Sequence, residues 1–418
     1  MKKIIAMLLA LVLTLGLVAC GGNGGEANAP ADAKTVVYWA MWESTEPQGQ
    51  AIAAAVEQFT KDTGIKVDLQ FKGRTGIREG LQPALDAGQV IDVFDEDIDR
   101  INTTFAPYLL NLEELAKKYN YEETAIAGLI GACREVGGGQ LMSVPYQPNV
   151  FNFFYNAAIF EEVGVSAPTT WAELLDVCAK IKAAGYTPIT CDDAYITCMI
   201  GYHLGRLVGE EGVRDIVMNG KWDDPAVAQF AADYAELAAN GYFSTNIESN
   251  VWPNGQNVEL AGGQAAMYLN GSWLPNEVKG ITGEDFQWGC FSYPTVENGT
   301  VGLEAANYGA QVYAINAKTE VADEAFQLIN YLTKGEADKN LSTLSVGIPA
   351  DTTNTEWPAL MAGVKPVMEA TALRWSWAVG VEANNDITPA IKENTLKLCG
   401  GSITADEFVA NMMAAAGK

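Results

Sequence analysis

The chain has 418 residues, 49% of them hydrophobic, and a formal net charge of −26. At roughly 150 residues per domain, this length suggests two or three domains with substantial cores. So acidic a surface excludes nucleic acid as a partner, because phosphates call for a basic face.

Met1-Lys2-Lys3 supplies a positive start, and residues 4–19 form an almost wholly apolar, uncharged run. That run is shorter than the roughly 20 residues a spanning helix needs. It fits the apolar region of a signal peptide over residues 1–19, with small Ala19 at the cut. Leu17-Val18-Ala19-Cys20 resembles the lipobox of bacterial lipoproteins. In those, cleavage precedes the cysteine, which then carries lipid; two or more acyl chains hold stably to a membrane. The Gly-, Asn- and Ala-rich residues that follow extend this into a lipidated Cys20 and a flexible tether over 20–34. No later run approaches a spanning length, so the body is expected to be tied to the outer face of a membrane without crossing it.

Residues 35–39, TVVYW, are β-branched and aromatic and read as a buried strand. Residues 49–60 place apolar side chains at helical spacing. TGIKVDLQF then reads as a turn and a second strand, GLQPALDAGQ as a helix and VIDVF as a third strand. This alternation argues for an α/β fold with helices on both faces of a sheet. VPYQPNVFNFFYN, residues 144–156, is strand-like. Phe151, Phe153 and Tyr155 alternate along it, and such an aromatic face belongs to a core. In PTTWAELL, Thr170 and Glu173 have the spacing of a capping box. Residues 194–240 read as helix, broken near Asn219-Gly220. QAAMYLNGSWL reads as a strand and a turn, YGAQVYAIN as a strand and EAFQLINYLTK as a helix; from Pro358 the chain reads as helical almost to its end. The strands come in two batches with a later return. Two α/β lobes crossed more than once by the chain would produce that pattern and leave a cleft between them.

Beyond Cys20, six cysteines remain, with no C-x-x-C spacing. They are expected as buried small hydrophobes, with Cys191 and Cys198 the likeliest pair if any forms. The single histidine, His203, sits in the helix-like CMIGYHLGRLVG and reads as a packed structural residue; one histidine cannot build a His-based metal site. The run DVFDEDIDR begins like a calcium loop, but Arg100 stands where a glycine is needed and no glutamate follows at the twelfth position. Neither a metal nor a cofactor is called for.

VVYWAMWE, QFTKDTGIKVDLQF, AGQVIDVF, SVPYQPNVFNFFYNAAIFEEVGVSAPTTWAELL, AAMYLNGSWLPNEV and YGAQVYAINAKTEVADEAFQLINYLTKGEA occur in this order. Together they resemble the family 1 extracellular solute-binding proteins of ABC importers, of the maltose-binding type, over nearly the whole mature chain. The resemblance implies a two-lobed, periplasmic-binding-protein-like (type II) α/β fold, each lobe a sheet flanked by helices. The lobes would close by a hinge over a bound sugar or oligosaccharide and deliver it to a membrane permease. The N-terminal lobe is expected over 35–143 plus 305–347 and the C-terminal lobe over 144–304 plus 348–418. The receptor would act as a monomer, without catalysis, on the extracellular face of the cytoplasmic membrane of a Gram-positive cell.

A sugar site wants flat aromatics for C–H faces, and carboxylates or amides for hydroxyls. Trp42 and Glu43 follow the first strand, and Asp95, Glu96 and Asp97 are expected just beyond the third, at ends that face a cleft. Within the resemblance, Trp273 of NGSW matches a sugar-stacking tryptophan and Tyr195 of CDDAYITC a cleft aromatic. Of Trp375 and Trp377 in RWSWAV, one is expected to face ligand and the other core. Asn149 stands where maltose-binding relatives carry a ligand-facing carboxylate, so the amide points away from maltose itself. Trp252 in NVWPNG and Tyr308 in NYGAQ complete the candidates. Two other readings remain at this point. The same fold could bind a polyamine, a cation that stacks on rings and pairs with acids. A carbohydrate-active enzyme would need two facing carboxylates, and no such pair stands out.

Overall fold

The computed structural model describes Lys34–Lys418. The expected signal peptide, Cys20 and the expected tether up to residue 33 lie outside the described residues.

Thr35–Ala40 (β1) runs parallel to Lys66–Phe71 (β2) on one side and Val93–Asp97 (β3) on the other. The helix that joins β1 to β2, Pro47–Thr63, starts on a proline whose missing N–H costs nothing at a helix start. It stops at Gly64, which takes a left-handed φ of 75°. Its face of Ile52, Val56 and Phe59 is buried. The later strands are Val144–Asn156 (β4), Thr187–Thr190 (β5), Ala265–Gly271 (β6), Trp288–Phe291 (β7), Ala305–Ile315 (β8) and Leu373–Trp375 (β9). They complete one path in the order β2-β1-β3-β8-β4-β6-β5, with β7 beside β4 and β9 beside β8. β3, β8, β4 and β6 pair antiparallel in succession.

Two hydrophobic cores flank the middle of this path. One gathers side chains from residues 36–146 and 310–341, the other from 150–306 and 346–412. The change of core falls inside the two longest strands: between Tyr146 and Val150 in β4, and between Ala306 and Ala310 in β8. β4 carries an irregularity at that point. Its register on β8 shifts between Tyr146 and Pro148, and Gln147 takes a positive φ of 43°.

The Thr170–Glu173 capping box forms as its spacing requires. Two expectations change. The third strand spans Val93–Asp97, so Asp95, Glu96 and Asp97 lie within it and pair with Tyr313, Val312 and Gln311 of β8. The acidic run therefore forms the end of a strand and the start of the helix Ile98–Thr104, not a calcium loop. The segment after Pro358 is not continuously helical. β9 interrupts it, and Ala378, Val379 and Gly380 then take left-handed conformations. Packing holds this strained run in place: a Cβ on Gly201 would lie 2.1 Å from the Ala378 carbonyl oxygen, so only glycine lets helix Ile196–Asn219 approach so closely. Cys191 and Cys198 are not joined; both are free and buried.

His203 is wholly buried. Its ring nitrogens lie 2.9 Å from Asp233 Oδ2 and 3.1 Å from Tyr293 Oη, and its ring stands edge-on to Trp171. No described helix is long and apolar enough to cross a membrane.

Candidate functional site

A cavity of about 460 Å³ opens where the two cores meet. Its lining includes Asn149 of β4 and Asn307, Tyr308, Gly309 and Gln311 of β8, where these paired strands pass from one core to the other. Asn149 stands opposite Gly309 in the register. Gln311 Oε1 is buried and has no hydrogen-bond partner among the described residues.

One wall is aromatic. Trp273 follows β6 and Trp377 follows β9, both half-buried. Phe151 backs them, its ring centre 5.9 Å from Trp273 and 5.5 Å from Trp377. Trp377 Nε1 donates to Glu382 Oε2 at 3.0 Å, and the other oxygen of Glu382 accepts from Thr197 Oγ1 at 2.6 Å. Tyr195 lies behind the two tryptophans, 6.3 and 6.2 Å from their rings. Asp192 pins its turn by accepting from Ala194 N at 2.7 Å and Tyr195 N at 3.0 Å. Burial raises the Asp192 carboxyl to about 6.

Another part of the lining is charged. Glu96, at the end of β3, accepts a forked pair of bonds from Arg78 at 2.9 and 3.2 Å, and Arg100 Nε lies 3.9 Å away. Asp97 accepts from Asp99 N at 2.9 Å and so caps the helix Ile98–Thr104. Burial, with Asp99 beside it, raises the Asp97 carboxyl to about 6. Arg374, on β9, pairs with Asp99 at 2.7 Å and donates to the Tyr308 carbonyl at 3.0 Å. Arg74 extends the wall and bonds Glu46 at 2.8 Å.

Of the candidates from sequence, the cavity gathers Glu96, Asp97, Asn149, Trp273, Tyr308 and Trp377. The others lie elsewhere, each for a physical reason. Trp375 is 2% exposed and packs against Tyr202, with the Arg206 guanidinium over its ring at 4.9 Å. Trp377 is thus the member of the pair that reaches the cavity. Asp95 is fully buried behind the wall, accepting from Met41 N at 3.0 Å and from the Tyr146 hydroxyl. Trp42 is buried and donates its indole N–H to Tyr146 Oη at 2.8 Å. Glu43 packs its carboxylate over Gly73, where a Cβ would lie 2.1 Å from Oε1. Trp252 is 43% exposed, outside the cavity lining. Sequence reasoning missed Arg74, Arg78, Arg374 and Glu382. The available signal was arginine itself, scarce in so acidic a chain.

An aromatic wall together with forked donors and carboxylates can stack on the apolar face of a small polar molecule and hold its hydroxyls. The volume lies in the roughly 300–1,000 Å³ range of small-molecule sites. Among the described residues, no group of three or more His, Cys, Asp or Glu is placed to hold a metal ion.

A two-core α/β fold, with a cavity lined by rings and charges where two paired strands pass between the cores, is that of a two-lobed solute-binding protein. The chain belongs to the bacterial extracellular solute-binding protein family, which matches residues 42–339. It is similar to the multiple sugar-binding protein of Streptococcus mutans, with 25% identity over 348 residues, 80% of this chain and 79% of that protein. Among solved structures, a probable secreted solute-binding lipoprotein from Streptomyces coelicolor shares the fold with a TM-score of 0.75 at 14% identity, over 93% of this chain and 100% of the other. A Bacillus licheniformis sugar transporter, solved in complex with stachyose, has a TM-score of 0.66 at 16% identity, over 91% and 98% of the two chains.

Proposed function

We propose that this chain captures a sugar or oligosaccharide in the cavity and hands it to the membrane subunits of an ABC importer, with no chemistry of its own. One observation carries the reading: Trp273 and Trp377 line a cavity of about 460 Å³ together with arginines and carboxylates. The named sugar-binding relatives support it. The lobes are assigned to the two cores, so that closure about the paired strands β4 and β8 would bring the two parts of the lining together. The lipobox-like Leu17-Val18-Ala19-Cys20 supports a lipid-anchored monomer at the outer face of the cytoplasmic membrane. The polyamine reading loses ground because Arg74, Arg78 and Arg100 would repel a cation.

The test is thermal unfolding of the protein against mono- and oligosaccharides, spermidine and putrescine. A ligand at 100 times its Kd adds about 2.7 kcal/mol of stability, a readable shift. Stabilisation by one saccharide series names the substrate class. Stabilisation by a polyamine alone would overturn the sugar reading.

A further inference from the structure

The charged wall is built unevenly. Its central carboxylate, Glu96, is 0% exposed, whereas the guanidinium side chains of Arg74, Arg78 and Arg100 are 41%, 44% and 43% exposed. Formal charges nearly balance there, but Glu96 lies beneath Arg78 and Arg100, and the more exposed acids, Asp99 at 31% and Glu46 at 29%, are each held in an ion pair. A ligand meets the positive side of these pairs first.

The donors are also unspent. Arg78 uses Nε and Nη2 on Glu96, and Arg74 uses Nη1 on Glu46. Among the described residues Arg100 donates no hydrogen bond; its only acidic neighbour is Glu96, at 3.9 Å. A guanidinium fork with both terminal nitrogens uncommitted matches a carboxylate in two parallel bonds. The remaining acids on this side are otherwise engaged, Asp99 by Arg374 and Asp97 as a helix cap. On the aromatic wall, Glu382 is taken up by Trp377 and Thr197.

We propose that the cavity selects a saccharide bearing a carboxylate, a uronic acid or an oligosaccharide containing one. Its ring would lie against Trp273 and Trp377, and its acid group would sit on Arg100 with Arg78 and Arg74 around it. This rests on the sugar-binding reading above and narrows it.

The experiment is calorimetric titration of the full chain with matched neutral and acidic saccharides: glucose and glucuronate, galactose and galacturonate, xylotriose and its glucuronyl-substituted form. The acidic member of at least one pair is expected to bind roughly tenfold or more tightly than its neutral partner. That preference should shrink between low salt and about 0.2 M salt, since exposed charges are screened. Arg100→Gln should cut the ratio of acidic to neutral affinity by a similar factor, and Arg100→Lys should restore only part of it, because an ammonium lacks the fork. Neutral members binding as well as or better than acidic ones would overturn the inference and leave the sugar reading standing. No binding by any saccharide would overturn both.

Discussion

The indole of Trp273 occupies the space a side chain at Gly271 would fill: a Cβ there would lie 2.3 Å from both Cη2 and Cζ3 of the ring. The glycine, last residue of β6, thereby sets the angle at which the ring meets the cavity. Gly271→Ala is expected to push the indole aside and weaken saccharide binding by about 1–2 kcal/mol, against about 1–3 kcal/mol for Trp273→Ala. Combined, the two should cost little more than Trp273→Ala alone, since both act through one ring. Additive losses in calorimetry would show that Gly271 acts by another route.

Trp375 and Trp377 are two residues apart and have opposite surroundings. Trp375→Ala empties a space between Tyr202 and Arg206, and should lower unfolding stability by about 3–5 kcal/mol. Trp377→Ala removes a half-buried ring and its bond to Glu382, and should cost about 1–3 kcal/mol of ligand affinity with a smaller stability loss. Denaturant unfolding and ligand titration on both variants separate the two effects. The reverse pattern would place Trp375 at the ligand.

What could be read from sequence was whatever local chemistry determines. The Thr170–Glu173 cap, the aromatic face of β4 and the strand before Trp273 depend on residues close in the chain. The end of β3 does not. Asp95 and Glu96 stay in a buried strand because Met41, Tyr146 and Arg78 supply their partners from 54, 51 and 18 residues away. The left-handed run at Ala378–Gly380 has no local signature either, since Ala and Val disfavour it. Gly201, far off in sequence, makes room for it. The arginine wall was missed for the same reason: Arg74 and Arg78 share the helix Gly73–Asp86, but Arg100 and Arg374 come from two other elements, and the three meet only in the fold.

The proposed lipid anchor is tested at Cys20. In a bacterial host that processes lipoproteins, the chain is expected in the membrane fraction and labelled by palmitate. Cys20→Ser should abolish the label and release the protein from the membrane fraction, because the acyl chains are the expected hold. Retention of the variant at the membrane would point to an uncleaved apolar leader as the anchor.

The pH dependence of stability follows from buried acids. Burial raises Asp95 to about 7, and raises Asp97, Asp192 and Asp338 to about 6. In the unfolded chain such groups titrate near about 3.9. Between those values the native state holds more protons than the unfolded state, so stability falls as pH rises through this window. His203 works against the trend. Burial lowers its pKa, with Asp233 opposing, so below about pH 6.5 the unfolded chain takes up a proton that the native ring resists. Four acids outweigh one histidine, and protonation also relieves the repulsion of a chain at −26. Further acidification turns the curve over. The carboxyls of Glu113 and Asp323 are held below their ordinary range by Arg134 and Lys118, and their partly screened pairs are lost once they protonate. The melting temperature at constant ionic strength is therefore expected to be higher at about pH 5.5 than at about pH 8, by on the order of a few °C, and to fall again toward about pH 3. Asp95→Asn, which keeps an acceptor for Met41 N without a charge to bury, should flatten the upper part of that slope. A melting temperature that climbs steadily from about pH 5.5 to about pH 8 would mean that these carboxyls are hydrated in solution and their burial is not maintained.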